Sequence, residues 1–310
     1  MFLEIKNLTK SYNKKEVVRN VTFSLEKGKI LCILGPSGCG KTTILNAIGG
    51  FIKIDKGKII LDGKDITYFS PEKRNIATVF QSYGLFRHKN VLENIEYGLK
   101  FKKISKKARK EKAMQIIQDV GLKGFEKREI HELSGGQRQR VALARSIVIN
   151  PEIILMDEPF SNLDRNLRGS MRKELKNLVN NFNMTVILVT HDQEDVFSIA
   201  DKVILMNEGK IEQNDSPVNL YNNPVNEFVL EFMGKSNKLN DRKYIRPEKI
   251  KIYEKSGKKA VIKEAVFKGA LIEYIVETEE RESFVLMEMN SGEIRKEGDV
   301  LYINYKESMY

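Results

Sequence analysis

Apolar residues along this chain gather into short runs separated by charged stretches, and the spacing inside each run points to an element. Over residues 1–25 the runs are brief and read as short strands, closed by a turn at Glu26-Lys27-Gly28. Ile30 to Leu34 is an unbroken apolar run that stops at Gly35, the pattern of a buried strand feeding a glycine loop. Lys41 to Gly49 then reads as a helix. Residues 58–80 carry short strands interrupted by Asp62-Gly63 and Ser70-Pro71. From about Val91 to Ile149 the spacing is helical: Ile116, Ile117 and Val120 share one face, with Gly121 as the stop. Strand signals return at Ile153–Met156 and at Thr185–Thr190, each followed by a helix. This order predicts an α/β sheet with a helical insertion.

Near Phe232 the character changes. Residues 234–243, GKSNKLNDRK, are small and polar and read as a linker. Beyond them, LIEYIVE (271–277), SFVLMEM (283–289) and DVLYINY (299–305) alternate and predict a small all-β appendage. No internal repeat or low-complexity tract is seen.

With 310 residues, 41% of them hydrophobic, the chain can bury a sizeable core and is long enough for about two domains. No apolar run approaches the ~18–20 residues that span a bilayer. The opening MFLEIKNLTKSY lacks the pattern of a secretory leader, so none is expected. A disulfide between Cys32 and Cys39 would distort the glycine loop, so both read as free thiols in a reducing cytosol. The net charge of +11 raises nucleic acid and membrane surfaces as partners. Lys outnumbers Arg more than two to one and is spread along the chain, whereas phosphate or base recognition favours clustered Arg forks. No nucleic-acid partner is expected. The densest basic block, KKISKKARKEK (102–112), reads as a solvated helix start or as a surface facing anionic lipid headgroups.

Chemistry concentrates at the strand ends. Gly35-Pro36-Ser37-Gly38-Cys39-Gly40-Lys41-Thr42 fits GxxxxGK[ST], after a strand and opening a helix. Its backbone N–H groups and helix N-terminus suit phosphate oxygens. Lys41 would reach the β- and γ-phosphates of ATP and Thr42 would serve Mg²⁺. Thr43 is grouped with these nucleotide-binding residues. The strand Ile153–Asp157 delivers Asp157 and Glu158 together: Asp157 to hold Mg²⁺, Glu158 to polarise the attacking water. Gln81, after the strand Ile76–Phe80, can bind Mg²⁺ or that water. His191, one of only three histidines, follows the strand ending at Thr190 and can contact the γ-phosphate. Tyr12 offers a ring for adenine, with a core or surface tyrosine as the alternative. A second phosphate-type cradle, LSGGQ at 133–137, lies far downstream of the first.

In this order, the phosphate loop, Gln81, LSGGQ, Asp157-Glu158, Ser161-Asn162-Leu163-Asp164 and His191 resemble the ATP-binding cassette (ABC) ATPases over residues 1–233. The resemblance implies a P-loop NTPase cassette with a helical subdomain at about 88–150, a linker at 234–244 and a small all-β, OB-like domain at 245–310. It implies an ATPase that works as a homodimer when ATP is bound. Ser134, Gly135, Gly136 and Gln137 of one copy would close the nucleotide held by the other, and Asp164 would link the two sites. PEKRNIATVFQSYGLF (71–86), THDQED (190–195) and FVLEFMGKSN (228–237) look like bacterial importer subunits, and Arg246-Pro247-Glu248 matches the start of their TOBE domain. The implied partners are integral permease subunits and, indirectly, an external solute-binding protein. The implied place is the cytoplasmic face of the membrane, and the implied cargo is ferric iron, a polyamine or a phosphonate. The subgroup reads Leu-Phe-Pro-His where this chain has Leu85-Phe86-Arg87-His88, in the loop expected to face the membrane subunit. The competing reading is a soluble cassette ATPase acting on nucleic acid or ribosomes.

Overall fold

A computed structural model describes residues 1–239 and 242–310, with the backbone alone at Asn166. It divides into two compact units, Met1–Val218 and Asn219–Tyr310.

The first unit begins with two long strands, β1 (Leu3–Tyr12) and β2 (Lys15–Leu25), where the brief apolar runs predicted short ones. Register shifts along their pairing interrupt the alternation, so the sequence pattern reads as fragments. With β4 (Lys56–Leu61) and β5 (Lys64–Asp65) they form an antiparallel sheet in the order β2-β1-β4-β5. A second sheet contains β3 (Ile30–Leu34), β6 (Ile76–Val79), β7 (Ile153–Asp157), β8 (Thr185–Thr190), β9 (Lys202–Asn207) and β10 (Lys210–Asp215). Its order is β10-β9-β3-β8-β7-β6, parallel except for β10. Buried on both faces, β3, β7 and β8 are continuous apolar runs, which is why the sequence shows them so plainly.

Helix α1 (Lys41–Gly49) lies between the sheets. Leu3, Ile5 and Phe23 from one sheet, Ile44 and Ile48 from α1, and Leu31, Ile33, Leu155 and Ile187 from the other make one core. The helical insertion comprises α2 (Val91–Glu96), α3 (Lys106–Asp119) and α4 (Gly135–Ile147), with Gly121 ending α3 at φ 68° as its sequence position predicts. Helices α5 (Arg165–Phe182) and α6 (Gln193–Ile199) follow β7 and β8. Met171, Leu175, Leu178 and Val179 form the buried stripe of α5.

The division between units falls within α7 (Pro217–Asn222), earlier than the composition change near Phe232. One tie that holds this segment is Arg246. Its guanidinium donates to the carbonyls of Tyr221 (3.0 Å), Leu230 (3.1 Å), Gly234 (2.7 Å) and Lys235 (3.0 Å). This binds α7 and α8 (Glu227–Phe232) to the strand-rich unit. The polar stretch predicted as a linker is structured too. It contains β11 (Asn237–Lys238) and β12 (Lys243–Ile245), which pair with each other; 240–241 lie outside the described residues. The buried Asn237 amide bonds both backbone groups of Val285, and Lys235 pairs with Glu273. The remaining strands are β13 (Lys251–Tyr253), β14 (Lys258–Phe267), β15 (Leu271–Thr278), β16 (Ser283–Met289), β17 (Val300–Asn304) and β18 (Ser308–Met309). Five of them make an antiparallel sheet, β13-β17-β14-β15-β16, over its own core of Ile262, Tyr274, Phe284 and Leu301. This is the all-β domain expected from the alternating stretches. Among the described residues no helix is long and apolar enough to cross a membrane.

Candidate active site

The parallel register brings four strand ends side by side. Leu34 of β3 pairs with Thr190 of β8, Val189 with Asp157 of β7, and Met156 with Val79 of β6. The residues that follow these strands therefore share the carboxyl edge of the sheet, where ligands of open α/β sheets bind.

The phosphate loop turns from β3 into α1. Gly35 (φ 152°) and Gly40 (φ 104°) are required: a Cβ would sit 2.4 Å from the Met206 carbonyl oxygen at the first and 2.8 Å from that of Val17 at the second. Lys41 is 7% exposed and its ammonium donates to the carbonyls of Gly35 and Pro36, both at 2.8 Å. Cys39 is buried beneath the loop, Sγ 3.9 Å from Lys41 Nζ, and burial pushes its thiol pKa up. Both cysteines are free thiols, as expected. Above the loop opens a depression of about 290 Å³, lined by Ser37, Gly38 and Gly40 to Thr43, with Val17 and Glu158 at its sides. The free N–H groups of the first turn of α1 are there for an anion.

The acids arrive from β7. The Thr42 hydroxyl donates to Asp157 Oδ1 at 3.2 Å. Burial pushes the Asp157 pKa up; the Thr42 hydrogen bond pulls it back and the neighbouring Glu158 charge raises it again. A half-buried carboxylate beside a second acid and a hydroxyl is a site that favours a cation, so this pair fits Mg²⁺ chemically. Glu158 has left-handed backbone (φ 45°), and its N–H donates to the Val189 carbonyl at 3.0 Å. That kink ends β7 and turns the side chain to the depression. Gln81 Nε2 lies 3.5 Å from one Glu158 oxygen and 3.1 Å from Ser161 Oγ. His191 Nδ1 lies 3.2 Å from the other Glu158 oxygen. Glu158, Gln81 and His191 thus form one hydrogen-bonded group from three adjacent strands.

Two arginines of α5, missed in the sequence reading, brace this group. Arg172, 5% exposed, contacts Asp195 at 2.6 Å, Glu194 at 2.8 Å and Asp192 at 3.0 Å. Asp195 also accepts from the Thr190 hydroxyl at 2.6 Å, so the turn carrying His191 is held from both ends. Arg168 reaches Asp192 (3.7 Å) and the carbonyls of Leu163 (3.1 Å) and Ser161 (3.3 Å). The available signal was an Arg pair four apart on α5 and the acid run in THDQED.

The second cradle stands elsewhere. Ser134 caps α4 in a reciprocal box with Gln137: Ser134 N–H donates to Gln137 Oε1 (2.9 Å) and Gln137 N–H to Ser134 Oγ (3.3 Å). The side chain of Gln137 is therefore engaged, and Ser134 with the N–H groups of Gly135 and Gly136 remains to meet an anion. Gly135 lies against Leu163 and the Asn162 carbonyl. Asp164 next to them caps α5 through the Leu167 N–H at 3.0 Å. None of Ser134 to Gln137 lines the depression over the phosphate loop. Tyr12 does not line it either; its exposed ring carries Lys10 Nζ at 5.3 Å from its centre.

Comparison with known proteins agrees with this geometry. Residues 18–161 match the ABC transporter family model and residues 244–306 the TOBE domain model. A spermidine/putrescine import ATP-binding protein of Acetivibrio thermocellus is 44% identical over 307 residues, covering 89% of this chain and 87% of the relative. An Fe(3+) ions import ATP-binding protein of Escherichia coli O157:H7 is 45% identical over 236 residues, 76% of this chain and 68% of that one. Among solved structures, a dimeric bacterial ABC transporter cassette is 31% identical with a TM-score of 0.62, covering 69% of this chain and 98% of its own. A post-hydrolysis ATP-binding cassette bound to ADP and Pi is 32% identical, TM-score 0.61, with the same shares covered. A phosphate loop, a strand-end acid pair and a separate second cradle, on a chain so similar to these, lead to one assignment: it belongs to the ABC transporter family, as an ATPase subunit of the importer kind with a C-terminal TOBE domain.

Proposed function

We propose that this chain energises polyamine uptake from the cytoplasmic face of a bacterial membrane, as a homodimer bound to integral permease subunits that receive cargo from an external binding protein. The polyamine assignment rests on the reach of the similarity. The match to the spermidine/putrescine relative covers 89% of this chain, whereas the match to the Fe(3+) relative covers 76%.

The observation that carries the mechanism is the grouping of Glu158 with Gln81 and His191 beside the phosphate loop, with the second cradle apart from it. Lys41 and the loop N–H groups hold the β- and γ-phosphates of ATP. Thr42, Asp157 and Gln81 would hold Mg²⁺, which when bound supplies neutralising charge to the phosphates. Glu158 accepts the proton of the attacking water, Gln81 orients that water, and His191 holds the Glu158 carboxylate in place and reaches the γ-phosphate. Tyr12, whose ring is exposed, offers it to adenine. Ser134 and the Gly135 and Gly136 N–H groups of the second copy close over the γ-phosphate, and Asp164 connects the two sites. ATP then bridges two subunits, and its hydrolysis removes the bridge.

Glu158→Gln tests this reading. The variant keeps ATP binding, loses about 10²–10⁴ in turnover, and accumulates an ATP-bound dimer that co-purifies with a multi-spanning permease from native membranes. Normal hydrolysis by the variant would refute the base assignment. Recovery of ribosomes or nucleic acid with no membrane partner would refute the transport role.

A further inference from the structure

The nucleotide chemistry leaves the basic block at 102–112 without a use. It holds seven cations and one acid, Glu111. Lys103, Lys106, Lys107, Lys110 and Lys112 are all exposed, and among the described residues none of them makes an ion pair. Lys102 and Arg109 are partly engaged, on the carbonyls of Ile149 and Ile104. The block opens α3, which Ser105 caps through the Ala108 N–H, and no acidic residue stands in the first turn. Lys106, Lys107 and Arg109 therefore sit in the first turn, at the positive end of the helix dipole, the worst place for cations, with Lys110 just beyond. Nor does packing account for α3, since Ala113 and Ile117 are its only buried residues. This concentration of charge costs the fold stability, and an external polyanion would relieve it.

Beside the block, Phe101 is 78% exposed. Its ring lies 5.6 Å from that of Tyr97, which lies 4.4 Å from that of Phe86, in the loop that follows Gln81. The basic surface is thus continuous with the loop proposed to face the permease, and hence with the bilayer side of the molecule.

We propose that Lys103, Lys106, Lys107 and Lys110, with Phe101 as an apolar wedge, dock the helical subdomain directly on anionic lipid headgroups. The inference rests on the importer reading for the direction in which this surface faces. Lysines around an exposed apolar ring suit a diffuse sheet of headgroups, whereas single nucleic-acid phosphates are better met by Arg forks.

The test is sedimentation of the full chain with vesicles of phosphatidylcholine, with and without one-third phosphatidylglycerol, at near-physiological salt. The protein is expected on the anionic vesicles only, less so as salt rises. Each lysine near such a surface contributes about fivefold in partitioning. Changing all four to Gln should lower binding by roughly two to three orders of magnitude, and Phe101→Ser should weaken what binding survives in high salt. Basal ATPase activity of both variants is expected to be unchanged and certifies their folding. Equal binding to neutral vesicles, equal binding by the four-lysine variant, or preferential binding of RNA at the same salt would each overturn the proposal. The vesicles contain no permease, so a failure here with permease still recovered by the Glu158→Gln variant leaves the importer reading standing.

Discussion

Replacing Arg172 with Met removes the buried cation that holds the His191 turn, and the cost can be worked from its partners. Glu194 is largely exposed, so that pair contributes little. Asp192 keeps Arg168 at 3.7 Å. Asp195 is different: it is 3% exposed, and without Arg172 its carboxylate retains, among the described residues, the Thr190 hydroxyl at 2.6 Å. Stripping one partner from a buried pair costs about 3–5 kcal/mol. For a unit of this size that is a fall of roughly 10 °C in Tm. The loss should depend on pH. Burial already pushes the Asp195 pKa up, while Thr190 and Arg172 pull it back, so deleting Arg172 raises it further. An acid whose folded pKa lies above its unfolded value favours folding when protonated, and that contribution is lost as pH rises from the unfolded to the folded value. The deficit of the variant should thus be smallest near about pH 4, the unfolded carboxylate value, and larger at neutral pH. Thermal melts at both values measure it. Turnover should fall with KM for ATP little changed, because the phosphate loop is untouched, and adding Asp195→Asn should restore most of the stability. A melting point within about 2 °C of the parent at neutral pH, or a deficit independent of pH, would refute the argument.

Two further outcomes concern residues that do not line the phosphate-loop depression. Arg246→Met removes the guanidinium that donates to four carbonyls and should destabilise the C-terminal unit by about 3 kcal/mol or more; a near-ultraviolet tyrosine signal that melts at the parent temperature would contradict this. Ser134→Arg should bind ATP as a monomer yet form no ATP-dependent dimer in light scattering, and a normally closing dimer would rule out the use of the second cradle between copies.

What the sequence displayed, and what it hid, follows from the range of the interactions. Ile30–Leu34, Ile153–Asp157 and Thr185–Thr190 are legible because strands buried on both faces must be apolar throughout. The phosphate loop is legible because its glycines answer a local demand, a backbone that side chains rarely adopt, with φ 152° at Gly35 and 104° at Gly40. Residues 234–239 were illegible for the opposite reason. Asn237 and Lys235 look like linker residues until Val285 and Glu273, tens of residues away, are placed beside them. The grouping of Gln81, Glu158 and His191 lies between these cases. Each residue is marked by a strand end, but only the sheet order β3-β8-β7-β6 makes them neighbours.

The composition itself changes meaning once the arginines are located. Lysine is the majority cation and supplies the solvated surface, as at 102–112. Several of the arginines sit at joints. Arg74 is buried and donates to the carbonyls of Ala47 and Ile48, which end α1, and to those of Thr67 and Phe69. Arg145 of α4 holds Tyr83 and Gly84 in the loop after Gln81, at 3.0 and 2.7 Å. Arg168 holds Ser161 and Leu163, and Arg246 the turn after α8. Carbonyls at helix ends and in tight loops have no partner within their own element, and a guanidinium carries five donors in a fixed fork that can serve several of them at once. A lysine has neither the fork nor the weak hydration to remain buried there. Arg145 thus joins the Gln81 loop to the helix whose first turn carries the second cradle, and Arg168 joins the Asp164 loop to the turn of His191. The side chains grouped beside the phosphate loop are mechanically tied to the second cradle, through main-chain carbonyls whose identity the sequence does not reveal.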